Sequence, residues 1–548
     1  MNFKREIVNL LRKELNEDVE SLIEVPKDSS LGDYAFPCFI LAKKLQKNPV
    51  EIAQELSNKI KSSLFEKLES RGPYLNFFIN KLKLNEFILN EILLKKEKYG
   101  STNLGKGKKF LIEHTSINPN ASPHVGRARN ALIGDSLVRL FKFQSYKTEV
   151  HYYVNDVGKQ IAMLVLGCKG KPSFDKLLNI YVKINKKIQS NPEKEKEIFA
   201  LLNRLEKGDK KIIKRFKEIV NTCIKGQSNI LSELGIRYDF FDYESKYLWN
   251  KETENILKAL EKTGKVFTDE SNRKILDLKE FNLPMKTSLL VLTRGDGTSL
   301  YGLRDIAYNI EKIKRSDKNA VILGEDQKLY FMQIKSALSL LGYKAPEVIH
   351  YSFVLFQEGK MSTRSGNIVL LEDFMKEALK KAIEEIKKRK KGSVKNAKAI
   401  GYGSIKYSIL RVSPEKNVIF DWGSALNFEG ESAPYIQYAH ARACSILKKS
   451  KPKKPNLSLL KADSEIKLIK KLGEFTEVIN NAIDSLRPST ICSYLFELAK
   501  VFTTFYHDCP VLKAGKGLKE ARLSLVLASK IVLKAGLNLL GIEAPESM

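Results

Sequence analysis

Two short segments carry the residue types needed to handle a charged, phosphorylated substrate. The first reads Glu113-His-Thr-Ser-Ile-Asn118-Pro-Asn-Ala-Ser-Pro123-His124-Val-Gly126-Arg127, between the apolar run Phe110-Leu111-Ile112 and a helical pattern over about 124–142. A strand, loop and helix in that order aim the helix N-terminus, with its free N–H groups and positive dipole end, at whatever binds in the loop. Gly126 permits close backbone approach, and Pro123, His124 and Arg127 shape the loop and add donors. Such a loop is equipped for a nucleoside triphosphate. The second segment is Gly359-Lys360-Met361-Ser362-Thr363-Arg364-Ser365-Gly366. Glycines at both ends make a hinged loop, and Lys360 and Arg364 can close over phosphates. Taken singly, the histidine usually reads as a structural loop residue, and the glycine-flanked loop reads also as a solvated turn. Their order around one core gives them weight.

That core is predicted from the hydropathy pattern. Val125, Ala128, Leu132, Ser136 and Leu140 share one helical face, and a second strand spans Glu149–Val154. Strand, loop, helix and strand begin a doubly wound α/β domain, in which ligands sit at the carboxyl ends of strands. About residues 165–260 read as continuously helical, an insertion in that domain. The α/β pattern resumes with a strand at Ala320–Leu323 and a helix from Leu329 to about Leu341. Two helices, about 3–16 and 49–64, flank Gly32-Asp-Tyr-Ala-Phe-Pro37 in a first unit, with a strand at 72–79. The turn-rich 99–109 segment lacks the spacing of a Walker loop and reads as a linker. Beyond about 425 only helices follow, interrupted by the solvated loop Lys448-Lys-Ser-Lys-Pro-Lys-Lys-Pro455.

Composition narrows the class. The 548 residues exceed one ordinary domain, and 43% hydrophobic content suits sizeable cores. The charged start, Met-Asn-Phe-Lys-Arg-Glu, is not of secretory type, and the late apolar stretch at 523–541 is broken by Lys530 and Lys534, so a core helix is expected there. Six widely spaced cysteines indicate neither a local zinc knuckle nor a disulfide framework and suit a reducing cytosol. A net charge of +30 favours a polyanionic partner, although a lysine-rich composition alone would give the same figure. The run Lys387-Lys-Arg-Lys-Lys391 reads as a solvated helix end, with RNA contact the lesser alternative.

Together these segments resemble class I aminoacyl-tRNA synthetases, whose short motifs are a His-x-Gly-His loop and a Lys-Met-Ser-Lys-Ser loop. Within that class the chain resembles arginyl-tRNA synthetases of archaeal style along essentially its whole length. The blocks that carry the resemblance are Glu113–Pro119, Gly126-Arg-Ala-Arg-Asn130, Tyr301-Gly-Leu-Arg304-Asp305 and Lys360-Met-Ser-Thr-Arg364. Further blocks are Phe420-Asp-Trp-Gly-Ser-Ala-Leu-Asn427, Ala433-Pro-Tyr435-Ile-Gln-Tyr438-Ala-His-Ala-Arg442 and Gly32–Pro37.

The resemblance implies a Rossmann-type catalytic domain over 99–424, an α+β domain at 1–98 that contacts the tRNA elbow, and an all-α anticodon-binding bundle at 425–548. It implies that Glu113, Tyr301 and Asp305 surround the guanidinium of arginine, while Asn118 and Gln327 hold its α-amino and carboxyl groups. A planar, always charged guanidinium needs carboxylates that can take it in forked geometry. Plainer readings make Asp305 half of a surface ion pair with Arg304 and Tyr301 a core aromatic. ATP would meet Pro123, His124, Gly126, Arg127, Lys360, Met361, Ser362 and Arg364, with His124, Arg127 and Lys360 stabilising charge on the phosphates. Magnesium would arrive with ATP and need no dedicated protein cage. Tyr435, Tyr438 and Arg442 fall at i, i+3 and i+7, one helix face suited to stacking on unpaired bases or to forming a core stripe. A cytoplasmic monomer acting on tRNA, arginine and ATP is expected.

Three positions depart from the family pattern. The second histidine of the first motif is Arg127, the fourth residue of the second is Thr363, and Ala121 stands where relatives lacking that lysine carry a compensating one. Arg127 could supply the missing charge, or it could pair with Asp135 two turns along its helix. The rival readings are a class I synthetase for another amino acid such as lysine, a non-catalytic RNA-binding paralogue, and an unrelated nucleotidyl transferase. The pocket set and Tyr-x-x-Arg-Asp favour arginine. His124 and Lys360 favour activity, and the terminal resemblances to tRNA-binding domains disfavour an unrelated transferase.

Overall fold

The structure, a computed structural model, describes residues 3–17, 19–191, 193–356, 369–389, 393–453 and 455–548. The chain divides into two compact units: Met1–Tyr99 with Arg442–Phe475 and Glu497–Leu533, and Gly100–Ala441 with Thr476–Phe496 and Lys534–Met548.

In the first unit, a three-stranded antiparallel sheet has Tyr74–Ile79 at its centre, between Tyr34–Pro37 and Phe65–Arg71. The Gly-Asp that precedes the first strand has a mechanical explanation. Gly32 adopts φ +110°, and a Cβ there would lie 3.0 Å from the Phe77 carbonyl. Asp33 then donates its N–H to that carbonyl at 2.8 Å and accepts the Ile79 N–H at 2.8 Å. The helix Pro49–Lys59 starts with proline at its first position and Asn48 as N-cap, which accepts from Val50 N–H. It stops short of the predicted 64, and the strands Tyr34–Pro37 and Phe65–Arg71 are additions to the predicted elements. Phe65–Arg71 is charged and largely exposed, so its apolar content gives no strand signal.

The second unit is built on a five-stranded parallel sheet. Its order is Glu347–Tyr351, Lys318–Gly324, Lys109–Glu113, Lys147–Val154, Phe240–Tyr243. Chain order reverses between Lys109–Glu113 and Lys318–Gly324, which are paired through Val321 and Glu113. The doubly wound fold therefore has its switch point directly beyond Glu113, where such sheets open a crevice for ligands. The edge strand Phe240–Tyr243 lies inside the stretch expected to be continuously helical. That stretch instead contains the helices Lys159–Gly167, Phe174–Ser190, Glu193–Glu206 and Lys210–Glu233 and then returns to the sheet. Only four residues long and half-buried, this strand is too short to show a period.

The helix Val125–Phe143 is buried around nearly its whole circumference, including Arg129, Asn130 and Asp135, rather than on a single face. Three short strands, Val266–Thr268, Lys274–Asp277 and Leu289–Val291, form a separate antiparallel sheet ahead of the helix Tyr301–Arg315. Past 425 the described residues form helices and no strand: Ala433–Lys449, Asp463–Gly473, Phe475–Asp484, Ser489–Asp508 and Leu518–Leu539. The last holds Leu525, Val526, Val532 and Leu533 buried, as a core helix requires. All six cysteines are buried, and no helix among the described residues is long and apolar enough to cross a membrane. Lys387, Lys388 and Arg389 close the helix Leu371–Arg389, with Arg389 paired to Glu385 at 2.7 Å, while Lys390 and Lys391 lie outside the described residues.

Candidate active site

At the switch point the two central strands part, and the helix Val125–Phe143 bridges them. Asn130 Oδ1 accepts the Thr115 N–H at 2.6 Å, and its Nδ2 donates to the Ile322 carbonyl at 2.8 Å. Two main-chain groups that splaying would leave unpaired are thereby satisfied. Thr115 and Ser116 both adopt positive φ (77° and 44°). The turn they make is secured by Thr115 Oγ1, which bonds to the Tyr238 hydroxyl at 2.7 Å and His114 Nδ1 at 2.8 Å. His114 is fully buried, and burial holds its imidazole neutral, with a pKa of about 3. A Cβ on Gly134 would fall 2.3 Å from that ring. His114 is thus a structural residue that fixes the turn carrying Glu113 to Asn118.

Glu113 ends its strand buried, and its Oε2 accepts from the Lys312 ammonium, itself buried over the Tyr308 ring at 4.2 Å. The Ser116 hydroxyl approaches the other oxygen at 3.4 Å. Lys312 lies two turns along the helix Tyr301–Arg315 from Asp305. Asp305 accepts the Tyr330 hydroxyl at 2.5 Å, and no cation among the described residues is in ion-pair contact with it. Burial, reinforced by Glu113 and opposed by Tyr330, Lys312 and Arg304, raises its carboxyl to about 6. Part of the residue still reaches solvent, so a ligand can reach it.

Two plainer readings of this helix fail. Arg304 is buried and pairs with Glu244, Nε to Oε1 2.8 Å, instead of forming a surface pair with Asp305. Tyr301 is 55% exposed, its ring tilted against Tyr330 at 5.0 Å, and so is no core aromatic. The Tyr153 hydroxyl is buried without a hydrogen-bond partner among the described residues, amid the charges of Glu244, Asp305 and Arg304. An orphaned donor beside an unpaired carboxylate is what a site awaiting a polar ligand presents.

Asn118 is exposed on the loop, its carbonyl accepting from Gln227 Nε2 at 3.0 Å, and Gln327 ends the turn Glu325–Gln327 directly beyond Lys318–Gly324. Glu113, Asn118 and Gln327 therefore border the switch point, and the helix Tyr301–Arg315 brings Asp305. Tyr330, Lys312, Tyr153 and Glu244 were not singled out from the sequence. Tyr330 follows Gln327 by one helical turn and Lys312 follows Asp305 by two, but nothing local marks them as pocket residues.

His124 is the N-cap of Val125–Phe143, and its side chain does not cap the helix. A Cβ on Gly126 would sit 3.2 Å from the His124 ring, so the glycine makes room for imidazole. Burial first, then Arg127, lowers His124 to about 4, leaving it neutral near pH 7. The helix end is not wholly free: Val125 N–H donates to the Val369 carbonyl, and His124 forms a β-bridge with Leu370. Val369 and Leu370, which follow the Gly359–Gly366 segment, are thus joined to the start of Val125–Phe143. Lys360, Met361, Ser362, Thr363 and Arg364 themselves lie outside the described residues. Arg127 reaches the Tyr351 hydroxyl at 3.4 Å and does not pair with Asp135, which holds Arg139 at 2.7 Å. Ala121 is 8% exposed, its carbonyl accepting from Gln227 at 2.8 Å.

Tyr435, Tyr438 and Arg442 are half-buried on Ala433–Lys449, whereas Ile436, Ala439 and Ala443 on the same helix are buried. The Tyr435 ring meets Phe496 at 5.6 Å, and Arg442 lies over Tyr506 at 4.7 Å.

Residues 88–422 match the family described as tRNA synthetases class I (R), catalytic domain; residues 436–548 match the DALR anticodon binding domain and residues 1–79 the arginyl tRNA synthetase N terminal domain. The chain is 40% identical to the arginine–tRNA ligase of Methanocaldococcus jannaschii, covering 100% of both chains. It is 42% identical to that of Methanocella arvoryzae, over 93% of this chain and 92% of the relative. Among solved structures it is similar to Thermus thermophilus arginyl-tRNA synthetase, with TM-score 0.83, 28% identity and complete coverage of both.

Proposed function

The chain belongs to the class I arginyl-tRNA synthetases, and from that premise we propose how its residues divide the work of an arginine–tRNA ligase. The enzyme activates L-arginine with ATP to arginyl-adenylate and transfers the arginyl group to the 3′ end of its tRNA. Asp305, steadied by Tyr330 and without an ion-pair partner among the described residues, takes the guanidinium. Glu113 adds the lone pairs that Lys312 leaves, and Tyr301 closes the exposed side. Asn118 and Gln327, on the loop and the turn that follow the two strands flanking the crevice, hold the α-amino and carboxyl groups.

In the first step the arginine carboxylate attacks the α-phosphate and pyrophosphate departs. In the second, a terminal ribose hydroxyl of tRNA attacks the adenylate. Positioning and charge stabilisation dominate such chemistry, so no protein nucleophile is required. His124 enters neutral and acts as a hydrogen-bond donor, while Arg127 brings a permanent positive charge. Pro123 and Gly126 shape the cradle, and Lys360, Met361, Ser362 and Arg364 meet the phosphates from the second loop. Magnesium enters as part of the ATP substrate and neutralises phosphate charge. Residues 1–98 contact the tRNA elbow, and 425–548 bind the anticodon through Tyr435, Tyr438 and Arg442. The enzyme works as a cytosolic monomer.

The observation that carries this reading is Asp305: a desolvated carboxylate, hydrogen-bonded by Tyr330 yet without an ion-pair partner among the described residues, at the edge of the crevice. Charging of total tRNA with each amino acid in turn tests it. Only arginine should be incorporated; efficient charging with lysine would refute the pocket assignment.

A further inference from the structure

Arg304 and Asp305 are consecutive, and both lie beside the arginine pocket. A buried guanidinium next to an unpaired carboxylate should collapse onto it, because Coulomb attraction is strong where water is excluded. It does not do so here. Arg304, 8% exposed, is engaged by Glu244, 3% exposed, with Nε to Oε1 at 2.8 Å, while its Nη1 donates to the Ser299 carbonyl at 3.1 Å. Glu244 follows the edge strand Phe240–Tyr243 and is anchored by its own N–H, which donates to the Val154 carbonyl at 3.0 Å. The other cation near Asp305, Lys312, is likewise taken up by Glu113. Among the described residues, each of these two cations near Asp305, Arg304 and Lys312, thus has a carboxylate of its own.

We propose that Glu244 is a positioning residue for arginine selection: it holds the Arg304 guanidinium away from Asp305, leaving that carboxylate to the guanidinium of the substrate. The proposal rests on the reading that Asp305 takes the substrate guanidinium. Without Glu244, Arg304 becomes an internal competitor with the same chemistry as the substrate and no entropic cost of arrival. An ion pair with only a structural role would hold the helix Tyr301–Arg315 against the sheet edge and would not discriminate between substrates.

The two roles separate in steady-state aminoacylation by the full chain. Glu244→Gln should raise the apparent KM for arginine by about ten-fold or more and change that for ATP by less than about two-fold. Adding Arg304→Gln removes the competitor, so the double variant should return to within about three-fold of the parent KM for arginine. A folded Glu244→Gln protein with an unchanged arginine KM, or a double variant no better than the single, would overturn the proposal. Should Glu244→Gln not fold, the double variant decides alone. It lacks both charges, and an arginine KM within about three-fold of the parent supports the proposal, whereas one raised about ten-fold overturns it. Asp305→Asn is the control. If it leaves the arginine KM unchanged, the pocket reading itself fails; if it raises that KM while Glu244→Gln does not, only the role of Glu244 fails.

Discussion

The Tyr330 hydroxyl donates to Asp305 Oδ2 at 2.5 Å, joining the first turn of the helix Lys328–Leu340 to the second turn of Tyr301–Arg315. One carboxylate oxygen is thereby held in place and the other is left to a ligand. Asp305→Asn removes the charge and keeps the shape, so it should raise the KM for arginine far more than that for ATP. A loss of roughly 2–5 kcal/mol, as for a buried charge pair deprived of one partner, corresponds to at least about 30-fold in the arginine KM. Equal changes in both constants would remove Asp305 from the pocket.

The same carboxyl predicts a pH dependence. Burial raises Asp305 to about 6 in the free enzyme, and only the ionised form pairs with a guanidinium. Arginine binding therefore requires proton release below pH 6, and the arginine KM should climb by about ten-fold per unit as pH falls from there. It should be flat only above about pH 8, where Glu244, which burial raises to about 7, is ionised as well and holds Arg304. In Asp305→Asn the rise below pH 6 should vanish; if it persists, another group is its source.

Arg127 is the permanent positive charge at the start of Val125–Phe143, and Asp135, which could have neutralised it, is committed to Arg139. Arg127→Ala should slow adenylate formation by on the order of 100- to 1000-fold, the usual cost of one charge-stabilising contact, about 2.7–4 kcal/mol. Thermal unfolding and tRNA affinity should change little. A wild-type rate of arginine activation would mean that Arg127 does not compensate for the lysine absent at Thr363 and Ala121. Restoring a lysine by Ala121→Lys is not a clean complement, because Ala121 is buried against Lys210–Glu233.

Activation should also wait for tRNA, as it does in the arginyl enzymes this chain resembles. Arginine and ATP alone should give negligible ATP–pyrophosphate exchange, restored by addition of arginine tRNA. Vigorous exchange without RNA would contradict this.

Asn130 offers a test of the scaffold. Asn130→Ala would strand the buried Thr115 N–H and Ile322 carbonyl at about 1–3 kcal/mol each, so the thermal midpoint should fall measurably. Asn130→Asp keeps an acceptor for Thr115 but sets a buried carboxylate against the Ile322 carbonyl, so it should fall at least as far. An unchanged midpoint in Asn130→Ala would show that the bridge is not what stabilises the crevice.

Much of this enzyme could be read in one dimension because its signals are local. Phe110-Leu111-Ile112 and Ala320–Leu323 are buried on both faces, so they appear as uninterrupted apolar runs, and the loop after Glu113 is marked by its Asn, Pro and Gly residues. Glu113, Asn118, His124 and Arg127 lie within fifteen residues of one another, so a single segment carried half of the candidate site. The edge strand Phe240–Tyr243 was lost in a helical stretch because four half-buried residues show no period. Which charges remain available was decided only in three dimensions. Glu113 is compensated by Lys312, 199 positions away, and Arg304 pairs with Glu244 rather than with the adjacent Asp305. Sequence adjacency puts Arg304 and Asp305 side by side, but consecutive helical residues point about 100° apart. It is Glu244, just beyond the edge strand, that takes up Arg304 and leaves Asp305 without an ion-pair partner among the described residues.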